Sequence, residues 1–202
     1  AVTDMAVHRV ARNTGWLLAA EVLSILVSTI QFPLVARILG VEGYGMAVLI
    51  MGWIGLVTAL LGVQTRKMLV KYLSLFLSDE SETQVLAMVK LGLGVNLLLS
   101  IVTFVLLFIA APRLSIWLLD TTDGTLMLRL VILRDFFAAT GGTTTAVLRV
   151  FDRFKWLSIF NALSSIATFL LVSTVLIAGW KVDGYLAAMM LVSAGQSITL
   201  YL

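Results

Sequence analysis

The sequence predicts an all-α membrane protein with six transmembrane helices, and three observations predict it. Of 202 residues, 60% are hydrophobic and only 12% are charged, about half the ~25% charged share of a soluble domain. That leaves too little polar surface to coat a soluble globule. The apolar residues fall in six runs, at about 14–36, 44–64, 88–110, 126–147, 156–178 and 185–202. Each is near the ~20 residues that a bilayer core requires. None shows the short alternating segments of a membrane barrel. The backbone groups of each run must therefore be bonded within it, as helix.

Composition also excludes several classes. The chain has no cysteine, so disulfides and thiolate metal sites are absent. The net charge of +3 is divided among the connections and does not point to nucleic acid. The first apolar run is too long for the core of a cleavable signal peptide.

The first two runs are organised around the stretch from Phe32 to Gly45. Arg37 and Glu42 are its only charges, and Gly40, Gly43 and Gly45 supply the freedom for a sharp reversal. The expected structure is a hairpin of two spans with a short polar tip and a positive φ at Gly40 or Gly43. Pro33 and Pro112 are expected near span ends. The second connection is the longest. Thr65 to Ser78 mixes Arg66, Lys67 and Lys71 with apolar residues, which fits either an interfacial helix or an extension of span two. Asp120 to Gly124 reads as a capped loop between spans three and four.

Orientation follows from Lys and Arg. The N-terminal tail, the second connection and the fourth hold nine: Arg9, Arg12, Arg66, Lys67, Lys71, Lys90, Arg149, Arg153 and Lys155. The first, third and fifth connections hold four: Arg37, Arg113, Arg129 and Lys181. This bias places the N-terminus of a multi-pass chain in the cytoplasm.

The spans carry stripes. Thr14, Glu21, Ser24, Ser28 and Gln31 share one face of span one at helical spacing. Ser158, Asn161, Ser165 and Thr168 do so on span five. Polar stripes face other helices or water, and the one containing Glu21 is expected to line a cavity. Gly45, Gly52, Gly55, Ala59 and Gly62 form a small-residue stripe on span two, expected to pack against another helix.

A charge at the bilayer centre costs ~2.5–3.5 kcal/mol on insertion scales and usually marks function. Glu21, Arg134 and Asp135 are such charges. Arg134 and Asp135 are adjacent, hence about 100° apart on span four, and are not expected to point at the same neighbouring helix. Arg134 shares a face with Ala138, Gly141 and Thr145. Either it meets an anionic substrate in a water-filled cavity, or it belongs to a buried ion pair. Gly141 to Thr145 reads as tight packing, with threonines bonded one turn back. The candidate substrate-binding or coupling residues are therefore Arg134, Asp135, Glu21, Gln31 and Arg37. Gly40, Gly43, Tyr44 and Gly45 form the structural motif. No phosphate loop, metal-ligand cluster or nucleophile–base pair is present in the sequence, so neither an enzyme nor a cofactor is indicated.

Two segments resemble a known family. Asn13 to Leu23, followed by Ala36 to Gly45, is similar to the start of the polysaccharide biosynthesis transporters. These are the O-antigen and exopolysaccharide flippases of the multidrug/oligosaccharidyl-lipid/polysaccharide (MOP) exporter superfamily. Leu148 to Lys155 resembles their basic turn between spans four and five. The resemblance implies a two-lobe transporter of which residues 1–202 form the N-terminal lobe, the C-terminal lobe being absent. It also implies transfer of an undecaprenyl-pyrophosphate-linked oligosaccharide across the cytoplasmic membrane, for surface polysaccharide such as lipopolysaccharide O-antigen. The implied partners are the lipid-linked oligosaccharide, membrane lipids and a coupling ion, proton or sodium. A cation-coupled multidrug exporter of the same superfamily is the nearest alternative. A membrane-embedded glycosyl- or acyltransferase is the second.

Overall fold

The computed structural model describes residues 2–61, 82–150 and 154–201. The second connection, Thr65 to Ser78, lies outside them. Among the described residues five helices follow in order: α1 (Val2–Leu61), α2 (Glu82–Leu119), α3 (Gly124–Val150), α4 (Phe154–Ile177) and α5 (Val182–Tyr201). Among the same residues three segments are long and apolar enough to cross a membrane: Gly15–Leu60, Leu97–Leu119 and Lys155–Ile177.

α1 is two helical arms joined at Gly40, whose φ of 71° and ψ of 175° lie in a region open essentially to glycine alone. The chain reverses there. Phe32 and Tyr44 would stand ~18 Å apart on a straight helix, yet their rings meet edge-on at 5.4 Å. The expected hairpin is therefore present, but its tip is tighter than the sequence implied. Helix runs up to Gly40 from both sides, and Gly43 and Gly45 are helical. Gly43 serves close approach instead: a Cβ there would meet Val182 Cγ2 at 3.1 Å.

Two further points concern α2 and the second arm of α1. α2 continues through Pro112 to Leu119, two turns beyond the proline, and Leu97–Leu119 is one of the segments apolar enough to cross a membrane. A proline near a helix end removes one backbone bond, which neighbouring groups can compensate. Among the described residues, nothing packs against Gly45, Gly52 or Gly55 of the span-two stripe. Built Cβ atoms at Gly45, Gly52 and Gly55 meet nothing within 4 Å. The packed face of that arm is Ala47, Ile50 and Ile54, all buried.

The interhelical contacts define directions. Ser24 meets Ser165, and Trp16 meets Lys155, so the first arm of α1 runs parallel to α4. Ser193 Oγ donates to the Arg134 carbonyl and Ser197 Oγ to the Phe137 carbonyl, so α3 runs parallel to α5. Phe104 stacks on Phe136, and Arg129 lies over the Phe108 ring, making α2 and α3 antiparallel. Their connection is the capped loop read from the sequence. Thr121 Oγ1 accepts from the Asp123 amide, Thr125 Oγ1 donates to the Thr122 carbonyl, and buried Ser115 donates to the Thr121 carbonyl. α4 ends in paired bonds, Gly179 N to Leu176 O and Trp180 N to Val175 O, around a left-handed Gly179.

The apolar core sits at the hairpin-tip end. Val35, Ala47, Ile50, Leu107, Ala111, Leu128, Val172, Val182 and Leu186 come from near Gly40 and from both tight connections. Alanines recur there because helices in an apolar medium gain from close backbone approach rather than from hydrophobic burial. The outer surface is apolar. Leu18, Val22, Leu26 and Ile30 of α1 and Leu163, Leu170 and Ile177 of α4 are all exposed. A continuous apolar exterior on this scale marks a surface that meets lipid. Trp156 and Trp180, both exposed, bracket α4. The helix between them is ~36 Å long, close to a hydrocarbon core with its aromatic belts.

Gly40 and Gly43 are required for different reasons, and their variants should separate. Gly40→Ala strains the backbone by about 1–3 kcal/mol and should lower the thermal stability of detergent-purified protein irrespective of its neighbours. Gly43→Ala crowds Val182, so Val182→Ala should restore it. Rescue of Gly40→Ala by Val182→Ala would contradict this division.

Candidate functional site

The polar stripes of spans one and five meet face to face. Ser24 Oγ and Ser165 Oγ are 2.8 Å apart. Other serines and threonines of these faces bond to their own backbone one turn back: Ser28 to Ser24, Ser165 to Asn161 and Thr168 to Ser164. This satisfies each hydroxyl at small cost to the helix. Around the Ser24–Ser165 contact the helices part and leave a cavity of about 560 Å³. α1 lines it with Leu17, Leu18, Ala20, Glu21 and Ser24. α4 supplies Asn161, Ser164, Ser165 and Thr168, and α5 supplies Gln196. At its rim, one residue before Leu17, the Lys155 ammonium lies 5.7 Å from the centroid of the Trp16 ring.

The lining holds a carboxylate, two carboxamides and four hydroxyls on an apolar floor. The side chains of Glu21, Asn161, Ser164 and Gln196 bond to no other described residue. Ser158, one turn before Asn161 on α4, is buried and its hydroxyl has no partner. Such an arrangement can form directional hydrogen bonds to a polar guest. It offers no adjacent acid–base pair, and no group of three His, Cys, Asp or Glu occurs among the described residues.

Of the five candidate residues, Glu21 lines this cavity. Gln31 is half-buried on the same helix toward Gly40, and Arg37 is exposed beside the reversal. Arg134 and Asp135 lie on α3 and pair with each other, Nε to Oδ1 3.9 Å, both half-buried. The 100° step separates their Cβ directions, but the arginine side chain is long enough to turn back to its neighbour. A direct Glu21–Arg134 bond does not form, because Arg134 is held by Asp135 and Glu21 faces α4 and α5.

The Arg134 region is otherwise a packing seam. Ser193 binds the Arg134 carbonyl at 3.0 Å, and Ser197 binds the Phe137 carbonyl at 3.1 Å and the Thr140 hydroxyl at 2.8 Å. Gly141 is buried and Thr145 donates to its carbonyl, as the tight-packing reading expects. Ala138, on the Arg134 face, is exposed.

Sequence reasoning did not single out Ser164 and Gln196. Gln196 is an isolated carboxamide between Ser193 and Ser197. Its spacing from those seam serines, off their shared face, was the available signal.

The ion pair gives a direct test. Arg134→Ala leaves a half-buried carboxylate unpaired, a loss of about 1–3 kcal/mol, and should lower the yield of folded protein. Adding Asp135→Asn should recover the yield. Normal yield of Arg134→Ala, measured by size-exclusion chromatography, would show that the pair is not structural.

No match was found among curated proteins or among solved structures. The family described as polysaccharide biosynthesis protein matches residues 10–202. With nearly the whole chain matched, an all-helical fold and an apolar exterior, this chain is a member of the polysaccharide biosynthesis protein family.

Proposed function

We propose that the chain is the N-terminal six-span lobe of a flippase, which moves an undecaprenyl-pyrophosphate-linked oligosaccharide across the cytoplasmic membrane. The observation that carries this reading is the polar cavity of Glu21, Asn161 and Gln196, set inside an apolar helical bundle of this family. A membrane helix retains unpaired polar side chains at a cost, and passage of a polar guest through lipid explains that cost. The two arms of α1 together with α2, α3, α4 and α5 make six helical segments, here read as six spans. A second lobe would face the first across a central path, and the two would alternate access to either side. Glu21 is the residue assigned to the substrate or to a coupling ion, while Arg134 and Asp135 hold each other.

Transport in this scheme needs no bond-making. The guest's hydrogen bonds to water are exchanged for bonds to fixed carboxylate, amide and hydroxyl groups, which lowers the barrier to entering the membrane. The apolar exterior keeps the lobe in lipid, and the apolar core at the Gly40 end closes the path on that side. The cavity lies in the half of the bundle that bears Trp16 and Lys155, which the Lys and Arg bias assigns to the cytoplasm.

The experiment is a gene deletion in the source cell, complemented by the encoded protein. Loss of surface polysaccharide, with lipid-linked precursor accumulating inside, is the expected result. Unchanged surface polysaccharide with increased drug sensitivity would replace this reading with the cation-coupled exporter. In the same cells, Asp123→Cys should label from outside with an impermeant thiol reagent and Lys155→Cys should not. The reverse pattern would invert the assigned orientation.

A further inference from the structure

The cavity between α1, α4 and α5 discriminates among the parts of a lipid-linked glycan. The one charge among its lining residues is the Glu21 carboxylate. An anion entering there would face this carboxylate with no cation among the lining residues to offset it, in a medium where charges act strongly on each other. A pyrophosphate therefore does not belong in it.

A sugar hydroxyl both donates and accepts. Glu21 accepts only, whereas Asn161, Gln196 and Ser164 can do both. None of these four side chains is bonded to another described residue, so each has donors or acceptors free for a guest. Leu17 and Ala20 add apolar lining suited to the C–H face of a sugar ring. The volume of about 560 Å³ lies within the ~300–1,000 Å³ of small-molecule sites. One water takes a share of ~30 Å³, so the space fits a polyol of many atoms rather than one ion. The positive charge of Lys155 sits outside, over the Trp16 ring at the rim.

We propose that this cavity takes the neutral, hydroxyl-rich glycan of the substrate, and that the substrate's phosphates stay at the rim beside Lys155. The assignment rests on the flippase reading and divides the substrate between two places. Glu21, Asn161 and Gln196 recognise sugar, and Lys155 recognises charge.

The test is saturation-transfer NMR on the whole chain in lipid nanodiscs. The probes are the methyl glycosides of glucose, galactose, mannose and N-acetylglucosamine, with inorganic pyrophosphate as competitor. At least one glycoside should receive saturation, and pyrophosphate should not displace it. Glu21→Ala, Asn161→Ala and Gln196→Ala should each weaken binding about fivefold, as the loss of a hydrogen bond does. Lys155→Ala should leave glycoside binding unchanged. Chromatographic profiles matching the parent would exclude misfolding of the variants.

Absence of transfer to every glycoside, displacement by pyrophosphate, or indifference to all three cavity variants would each overturn the proposal. A glycoside bound by a protein whose deletion leaves surface polysaccharide intact would instead remove the flippase reading and keep the site. Lost polysaccharide without glycoside binding would do the opposite.

Discussion

A polar group placed in an apolar medium must find its partner inside the protein, and this fold is arranged around that requirement. Two seams satisfy it. Along α3 and α5, Ser193 and Ser197 reach across to backbone carbonyls and to Thr140. Along α1 and α4, Ser24 and Ser165 meet. Each seam joins parallel helices, so each links elements that are not consecutive in the chain. Bonds of this kind contribute only about 0.6 kcal/mol on average in membrane proteins. Their value lies in fixing register, because a slip by one residue would turn the hydroxyls toward lipid.

The two ends of the bundle then differ. At the Gly40 end the contacts are apolar and close, with Ala47, Ala111 and Ala188 buried and Gly43 against Val182. At the other end the α1–α4 seam opens into a polar cavity. The same chain is thus sealed at one end and able to admit a guest at the other. That asymmetry comes from where the sequence puts small apolar residues and where it puts carboxylate, amide and hydroxyl. The reversal at Gly40 makes it possible by returning α1 through its own core face.

Much of this was legible in the residues. Three glycines between two apolar runs announced the hairpin, and the polar spacings on spans one and five identified the faces that meet. Two features could not be completed from spacing alone. The glycine stripe of span two satisfies the spacing for close helix approach, but spacing does not say whether a partner is present. In this chain the partner face is Ala47, Ile50 and Ile54. For Arg134 and Asp135, the 100° between successive Cβ atoms does not set the distance between the charges, because arginine's long side chain can turn back to its neighbour. Gln196 was passed over because one carboxamide in a helix of small residues forms no period. It reaches the cavity only through the α3–α5 register, a tertiary fact.

The central claim is that a polar cavity, accessible to water, lies inside an apolar bundle. The chain has no native cysteine, so single substitutions report cleanly. Ser164→Cys lines the cavity, and Leu170→Cys faces outward on the same helix. In membranes, a small charged methanethiosulfonate reagent should modify the thiol at 164 and leave the one at 170 unreacted, since thiolate forms only where water reaches. Equal reaction at both positions, or none at 164, would contradict the account.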